Sequence, residues 1–220
     1  MKKILLSGAV LLAMVGVASA TLVTENYSGS EIAIPDGNPV GIVNSLSVSG
    51  ASGAIEDVSV NLDISGGYNG DLYGYLVFQP TSGSSATALL LNQIGTSGSN
   101  PFGYSSSGFN VTLSDSGTSN GDIHGANVGT GNTVTGIWQP DQSAGINLLD
   151  STFNQSSANG TWTLFLADLS AGGGTSELVS WGVNISVVPE PITWALLGFA
   201  GVLGLARFIA WRGSRTQKQI

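Results

Sequence analysis

From Val179 to Val187 every second residue is apolar. Val179, Trp181, Val183, Ile185 and Val187 alternate with Ser180, Gly182, Asn184 and Ser186. Successive side chains of a strand point to opposite faces, so a period of two specifies a half-buried β-strand and excludes an amphipathic helix. The stretch Ile55–Ile64 repeats the pattern, with Val58, Val60, Leu62 and Ile64 set against Ser59, Asn61 and Asp63. Ile42–Val48, Leu72–Phe78, Ala86–Leu91, Phe109–Leu113, Thr133–Trp138 and Thr161–Ala167 read as further short strands. Asn69-Gly70, Asn120-Gly121 and Asn159-Gly160 supply dipeptides that tolerate the positive φ of tight turns. Short strands between Gly-rich turns give the expected fold class: an all-β, jelly-roll-like antiparallel β-sandwich over residues 21–187. Trp162 and Trp181 fall on inward positions, and each large ring removes roughly 150–250 Å² from water.

The charges are segregated. The chain has 14 Asp and Glu against 6 Lys and Arg, a net charge of -8. The Lys and Arg residues are Lys2, Lys3, Arg207, Arg212, Arg215 and Lys218, so no Lys or Arg lies between Ile4 and Ala206. Nucleic acid is excluded as a partner, because phosphate neutralisation needs clustered cations. With Cys 0, disulfides, a thiol nucleophile and Cys-based metal sites are excluded as well.

Both cationic tips adjoin apolar runs. Lys2 and Lys3 precede Ile4–Val17, and Ala18-Ser19-Ala20 offers small residues to a signal peptidase, so residues 1–20 read as a cleaved signal peptide. Residues 192–211 read as a transmembrane helix of about 30 Å, matched to the hydrocarbon thickness. Trp194 and Trp211 stand at its two interfaces, and Arg207 near its end can snorkel to the headgroups. Arg212 and Arg215 lie in a basic tail, 212–220, that holds the C-terminus in the cytoplasm. Ahead of the helix, Val188-Pro189-Glu190-Pro191 is stiff and extended, because proline fixes φ and removes a backbone donor.

That order closely resembles the PEP-CTERM sorting signal of exopolysaccharide-producing Gram-negative bacteria: Val188-Pro189-Glu190-Pro191, an apolar helix opening Ile-Thr-Trp-Ala-Leu-Leu-Gly, and a terminal basic cluster. The basic cluster is looser than the contiguous arginines common in that family. The resemblance implies recognition of Pro189, Glu190 and Pro191 by an exosortase. It also implies removal of the transient membrane anchor and delivery of the ectodomain to the cell surface or an exopolysaccharide matrix. A second resemblance covers most of residues 31–187. Ile55–Ile64 followed by Tyr68-Asn69-Gly70-Asp71-Leu72 looks like the early strands of the P (Homo B) domain of proprotein convertases. Gly160-Thr161-Trp162-Thr163-Leu164, Asp168 and Trp181–Ile185 resemble its closing strands. This implies a jelly-roll sandwich and not the regulatory role, since a P domain normally follows a protease.

Chemistry has little to work with. A Ser-His-Asp triad would have to use His124, which sits in the connection Gly121-Asp122-Ile123-His124-Gly125 and reads as a surface-loop residue. No catalytic residue is therefore expected, and the chain reads as a non-enzyme. A hydrolase with an unidentified carboxylate pair is the alternative. For calcium, Asp63, Ser65, Asn69 and Asp71 recur at even spacing, with Asp63 and Asp71 as the candidate ligands. The EF-hand pattern fails there, with Tyr68 where Gly is needed and Gly74 where the bidentate Glu belongs. Tyr68, Tyr73, Tyr75 and Trp138 are candidate stacking faces for carbohydrate. The expectation is an exported structural or adhesive protein, with carbohydrate or calcium binding as the alternative.

Overall fold

The alternating segments become strands in the computed structural model, which describes residues 19–116, 120–145, 148–154, 156–188, 198 and 200–207. Among the described residues ten strands follow in order: β1 (Thr21–Tyr27), β2 (Ile32–Ile34), β3 (Asn38–Val48), β4 (Ala54–Gly66), β5 (Leu72–Pro80), β6 (Ala86–Asn92), β7 (Phe109–Ser114), β8 (Val134–Trp138), β9 (Gly160–Asp168) and β10 (Ser176–Val188). A short helix, α1 (Leu149–Phe153), precedes β9. The residues Ala20–Val188 form one compact unit.

Two sheets build the sandwich. One has the order β1-β10-β4-β7-β8, with β2 also on β10; the other has the order β3-β9-β5-β6. β1 and β2 share one edge of β10, pairing with Trp181–Val187 and Ser176–Leu178 respectively. All the pairs are antiparallel except β7 with β8, which runs parallel from Phe109↔Val134 to Leu113↔Trp138. A parallel pair needs a long crossover, and the stretch between these strands carries the 3-10 turn Ile123–Gly125.

The core lies between the sheets. Val58, Val60, Leu62 and Ile64 of β4 are buried, as are Leu72, Leu76 and Phe78 of β5 and Trp162, Leu164 and Leu166 of β9. Trp162 stacks on Phe78 at 4.0 Å and 16°, and Phe153 of α1 meets the Trp162 ring edge-on at 5.1 Å. Trp181 is also buried, and its indole N–H donates to Asn44 Oδ1 at 2.7 Å.

Three local expectations change. Strict alternation puts Val179 inward with Trp181, but a bulge between Leu178 and Ser180 shifts the register, so Leu178 faces the core and Val179 is half-buried. Asn69-Gly70 does not form a positive-φ turn: it lies in a buried 3-10 turn, Asn69–Asp71, where a Cβ on Gly70 would meet the Phe102 carbonyl at 2.5 Å. Helix α1 has no periodic signature because it spans little more than one turn. At Gly41 the backbone does need glycine, with φ of 59° at the β3 irregularity and the Leu166 carbonyl in the space of a Cβ.

Among the described residues no helix is long and apolar enough to cross a membrane. Of the span expected at 192–211 only residues 198 and 200–207 are described, and 200–207 are helical. Arg207 is exposed there, and Val188 closes β10. Residues 1–18, Pro189, Glu190, Pro191, Trp194, Trp211, Arg212 and Arg215 lie outside the described residues.

Candidate functional site

Alternation along β9 puts Trp162, Leu164 and Leu166 inward, and the same phase carries Asp168 inward after them. Asp168 is 0% exposed. Its Oδ1 accepts from the backbone N–H of Ser170 at 3.1 Å and Gly37 at 3.4 Å, whereas Oδ2 is buried without a hydrogen-bond partner. Across the ladder Asp168 pairs with Leu72, and Asp71, the residue before Leu72, is buried beside it. The backbone locks the two segments together, since Leu169 N–H donates to the Asp71 carbonyl at 2.8 Å. Gly173, at φ 84°, roofs the Asp71 carboxyl: a Cβ there would meet its Oδ2 at 2.8 Å and the Tyr68 ring at 2.6 Å. Asp36 holds the same loop from outside by accepting from Gly172 N–H at 3.0 Å.

This crowding of acids has an electrostatic consequence. Burial, then the charge of Asp168 and more weakly that of Asp36, pushes the Asp71 carboxyl up to about 6, against a lowering hydrogen bond from Ser170. Asp168 is raised as well, first by burial and then by Asp36, while the N–H groups of Ser170 and Gly37 pull the other way.

A second acidic group closes α1. Asp115 Oδ1 accepts from Leu149 N–H at 2.9 Å and its Oδ2 from Asp150 N–H at 2.8 Å, which satisfies donors at the helix start. Asp150 Oδ1 accepts from Val58 N–H at 2.9 Å. Burial lifts Asp150 to about 6, aided by Asp115 and Asp57 and opposed by the Val58 bond. Asp57 is raised by burial first and then by Asp115 and Glu56. With these oxygens held by backbone donors, the carboxylates fasten a helix to β4.

His124 is more than a surface-loop residue. Its Nδ1 lies 2.9 Å from Asp141 Oδ2 and its Nε2 lies 3.0 Å from the Thr96 carbonyl, and Asp141 is fully buried. A carbonyl can only accept, so Nε2 carries a proton; the ring satisfies both partners when Nδ1 carries one too. Burial works against that charge, but the hydrogen bond and charge of Asp141, the Thr96 bond and Asp122 together raise the His124 pKa above 6.5. Ser143 donates to Asp141 rather than to the imidazole, so these three do not form a triad. The string Gly117-Thr118-Ser119-Asn120-Gly121 has the spacing of a nucleophile elbow. Ser119 lies outside the described residues, and β7 before it leads to the 3-10 turn Ile123–Gly125, not into an α-helix.

The structure does not bring together the calcium candidates Asp63 and Asp71 as the even spacing anticipates. Asp63 sits between buried Leu62 and Ile64, opposite Asn110 and Ser180, on the outer face of its sheet. Asp71 is buried beside Asp168, which spacing alone did not single out. The legible signal was its phase, an acid at an inward position of a strand. Among the described residues no group of three or more His, Cys, Asp or Glu side chains is placed to hold a metal. Of the aromatic candidates, Tyr68 is exposed, while Trp138 is half-buried and donates to the Thr135 carbonyl at 2.9 Å. Tyr73 and Tyr75 lie on the outer face of β5, where Tyr75 stacks on Phe165 at 4.6 Å and Tyr73 meets Tyr75 edge-on at 6.0 Å.

No protein-family profile matches the chain, and no curated protein does. Among solved structures it is similar to the serine protease of Aeromonas sobria in complex with its chaperone, at 16% identity and a TM-score of 0.46, over 80% of this chain and 28% of that one. It is also similar to the serine protease of Aeromonas sobria at 17% identity and a TM-score of 0.43, over 78% of this chain and 27% of that one. The chain thus spans less than a third of the length of either neighbour.

Proposed function

We propose that this chain is an exported, jelly-roll β-sandwich protein that an exosortase releases from a transient anchor and that serves as a structural or adhesive component of an exopolysaccharide matrix. The observation that carries the reading is the order of elements along one chain. A signal-peptide pattern opens it, and an acidic body without Lys or Arg follows. Then β10 ends at Val188, and Pro189-Glu190-Pro191, an apolar run and a basic tail come directly after. A folded unit ending at Val188 supports the reading, because it leaves the motif on the chain just past the last strand, where a processing enzyme needs extended backbone. A surface of neutral polar groups and acids suits a hydrated matrix. Fractionation of the native host tests the location: the body of the protein is expected in the surface or matrix fraction, and accumulation in the cytoplasm would overturn the proposal.

Carbohydrate binding is the second reading, favoured by the outer face of the β3-β9-β5-β6 sheet. There Val43, Phe165, Tyr75 and Leu89 lie in one cross-strand row, with Tyr73 beside Tyr75. Rings of this kind stack against sugar faces. Titration with purified matrix polysaccharide separates the two readings. Saturable binding that Tyr75→Ala weakens at least tenfold supports the glycan role; no saturable binding leaves the structural role.

A further inference from the structure

We propose that Asp71 and Asp168 anchor a calcium site beneath the Leu169–Gly174 loop. Asp168 is 0% exposed, and two backbone donors hold its Oδ1 while Oδ2 is left with none. Leaving a buried carboxylate oxygen unpaired is expensive, so the geometry calls for a positive partner. Nothing in the sandwich supplies one. Residues 20–188 contain no Lys or Arg, and the single His is engaged with Asp141 and Thr96.

The pattern of unmet oxygens is consistent with this. Among the described residues the buried side-chain atoms without a partner are Asn69 Oδ1, Asp168 Oδ2 and Ser176 Oγ. All are oxygens. Asn69 belongs to the same 3-10 turn as Asp71, and Ser176 follows the loop that begins after Asp168. Leu169 N–H binds the Asp71 carbonyl, and Gly173 packs on the Asp71 carboxyl and the Tyr68 ring. The loop is therefore seated on the acid pair. Deficits confined to oxygen, two carboxylates and a glycine-rich loop that can adjust suit Ca²⁺, which takes several oxygens in flexible geometry. Mg²⁺ demands a tight octahedron and gives up its waters reluctantly. With only two acids close together, the remaining ligands would be hydroxyl, amide or backbone oxygens and water. The inference is independent of the export reading and stands or falls separately.

The experiment uses the purified full-length chain after chelation. Thermal unfolding is followed with Ca²⁺ or Mg²⁺ added, in the parent and in Asp168→Asn, Asp71→Asn and Asp63→Asn. A site filled at about 100 times its Kd is expected to raise the parent Tm by roughly 5–10 °C. Mg²⁺ should do much less, Asp63→Asn should keep the rise, and Asp168→Asn and Asp71→Asn should each lose it. Tb³⁺ luminescence on the parent chain gives a second readout that needs no variant: Tyr68 beside the loop should sensitise it, and Ca²⁺ should quench it. An unchanged Tm together with absent Ca²⁺-displaceable luminescence would overturn the proposal and leave an acid pair that shares a proton. Retention of the full rise in Asp168→Asn would overturn it too.

Discussion

Trp162→Ala is expected to destabilise the sandwich by about 3–5 kcal/mol, a large share of the 5–15 kcal/mol typical of a whole domain. Trp162 is 0% exposed and stands where β9, β5 and α1 meet. Its loss removes the stack on Phe78 at 4.0 Å and the edge contact with Phe153 at 5.1 Å, leaving a void that the close-packed surroundings can only partly collapse into. The indole N–H also donates to the Ala158 carbonyl at 3.3 Å, which ties down the chain just before β9. Trp162→Phe should lose roughly half as much, because it keeps a ring against Phe78. Urea unfolding measures both. A loss below about 1.5 kcal/mol for the alanine variant would show that this aromatic cluster does not hold the sheets together.

Acid should strengthen the fold. Asp71, Asp150, Asp57, Asp168 and His124 all bind protons more tightly in the folded chain than their ordinary values of 3.8 or 6.5 allow. For a raised group the added stability is complete below the unfolded value and disappears as pH rises through the folded one. The Asp71 contribution is thus present near pH 4 and lost by about pH 7. Discounted for the water that still screens the carboxyl, it is on the order of 1–2 kcal/mol, or about 5 °C in Tm. Asp150 adds a smaller amount of the same sign because water screens it in part, and His124 extends the trend to pH values above 6.5. Measured with chelator present, the Tm should climb as pH falls from 8 toward 4.5. Asp71→Asn together with Asp150→Asn should flatten the climb between pH 4.5 and 7. A Tm maximum near pH 8 that falls in acid would contradict the placement of these carboxyls.

The strands were the most legible part of the chain, since Val58–Ile64 and Trp181–Val187 alternate without interruption and burial enforces that phase. Phase alone erred where a bulge intervened, turning Val179 outward and Leu178 inward. Strand partners were less accessible. β1 and β2 share one edge of β10 through pairings far apart in sequence, and the parallel match of β7 with β8 leaves no mark in composition. The acid sites were harder still. Even spacing singles out Asp63 and Asp71, yet Asp63 belongs to the outer face of its sheet while Asp71 lies beside Asp168 where the ladder between β5 and β9 begins. Asp115 and Asp150 meet only because α1 docks on β4, a contact without a local signal.

Export with removal of the tail is best tested by mass spectrometry of the protein recovered from the native host outside the cytoplasm. The account predicts a mature chain that begins near Thr21 and ends in the neighbourhood of Pro189, lacking the apolar run and Arg207–Ile220. An inner-membrane protein with Ile220 intact would contradict it.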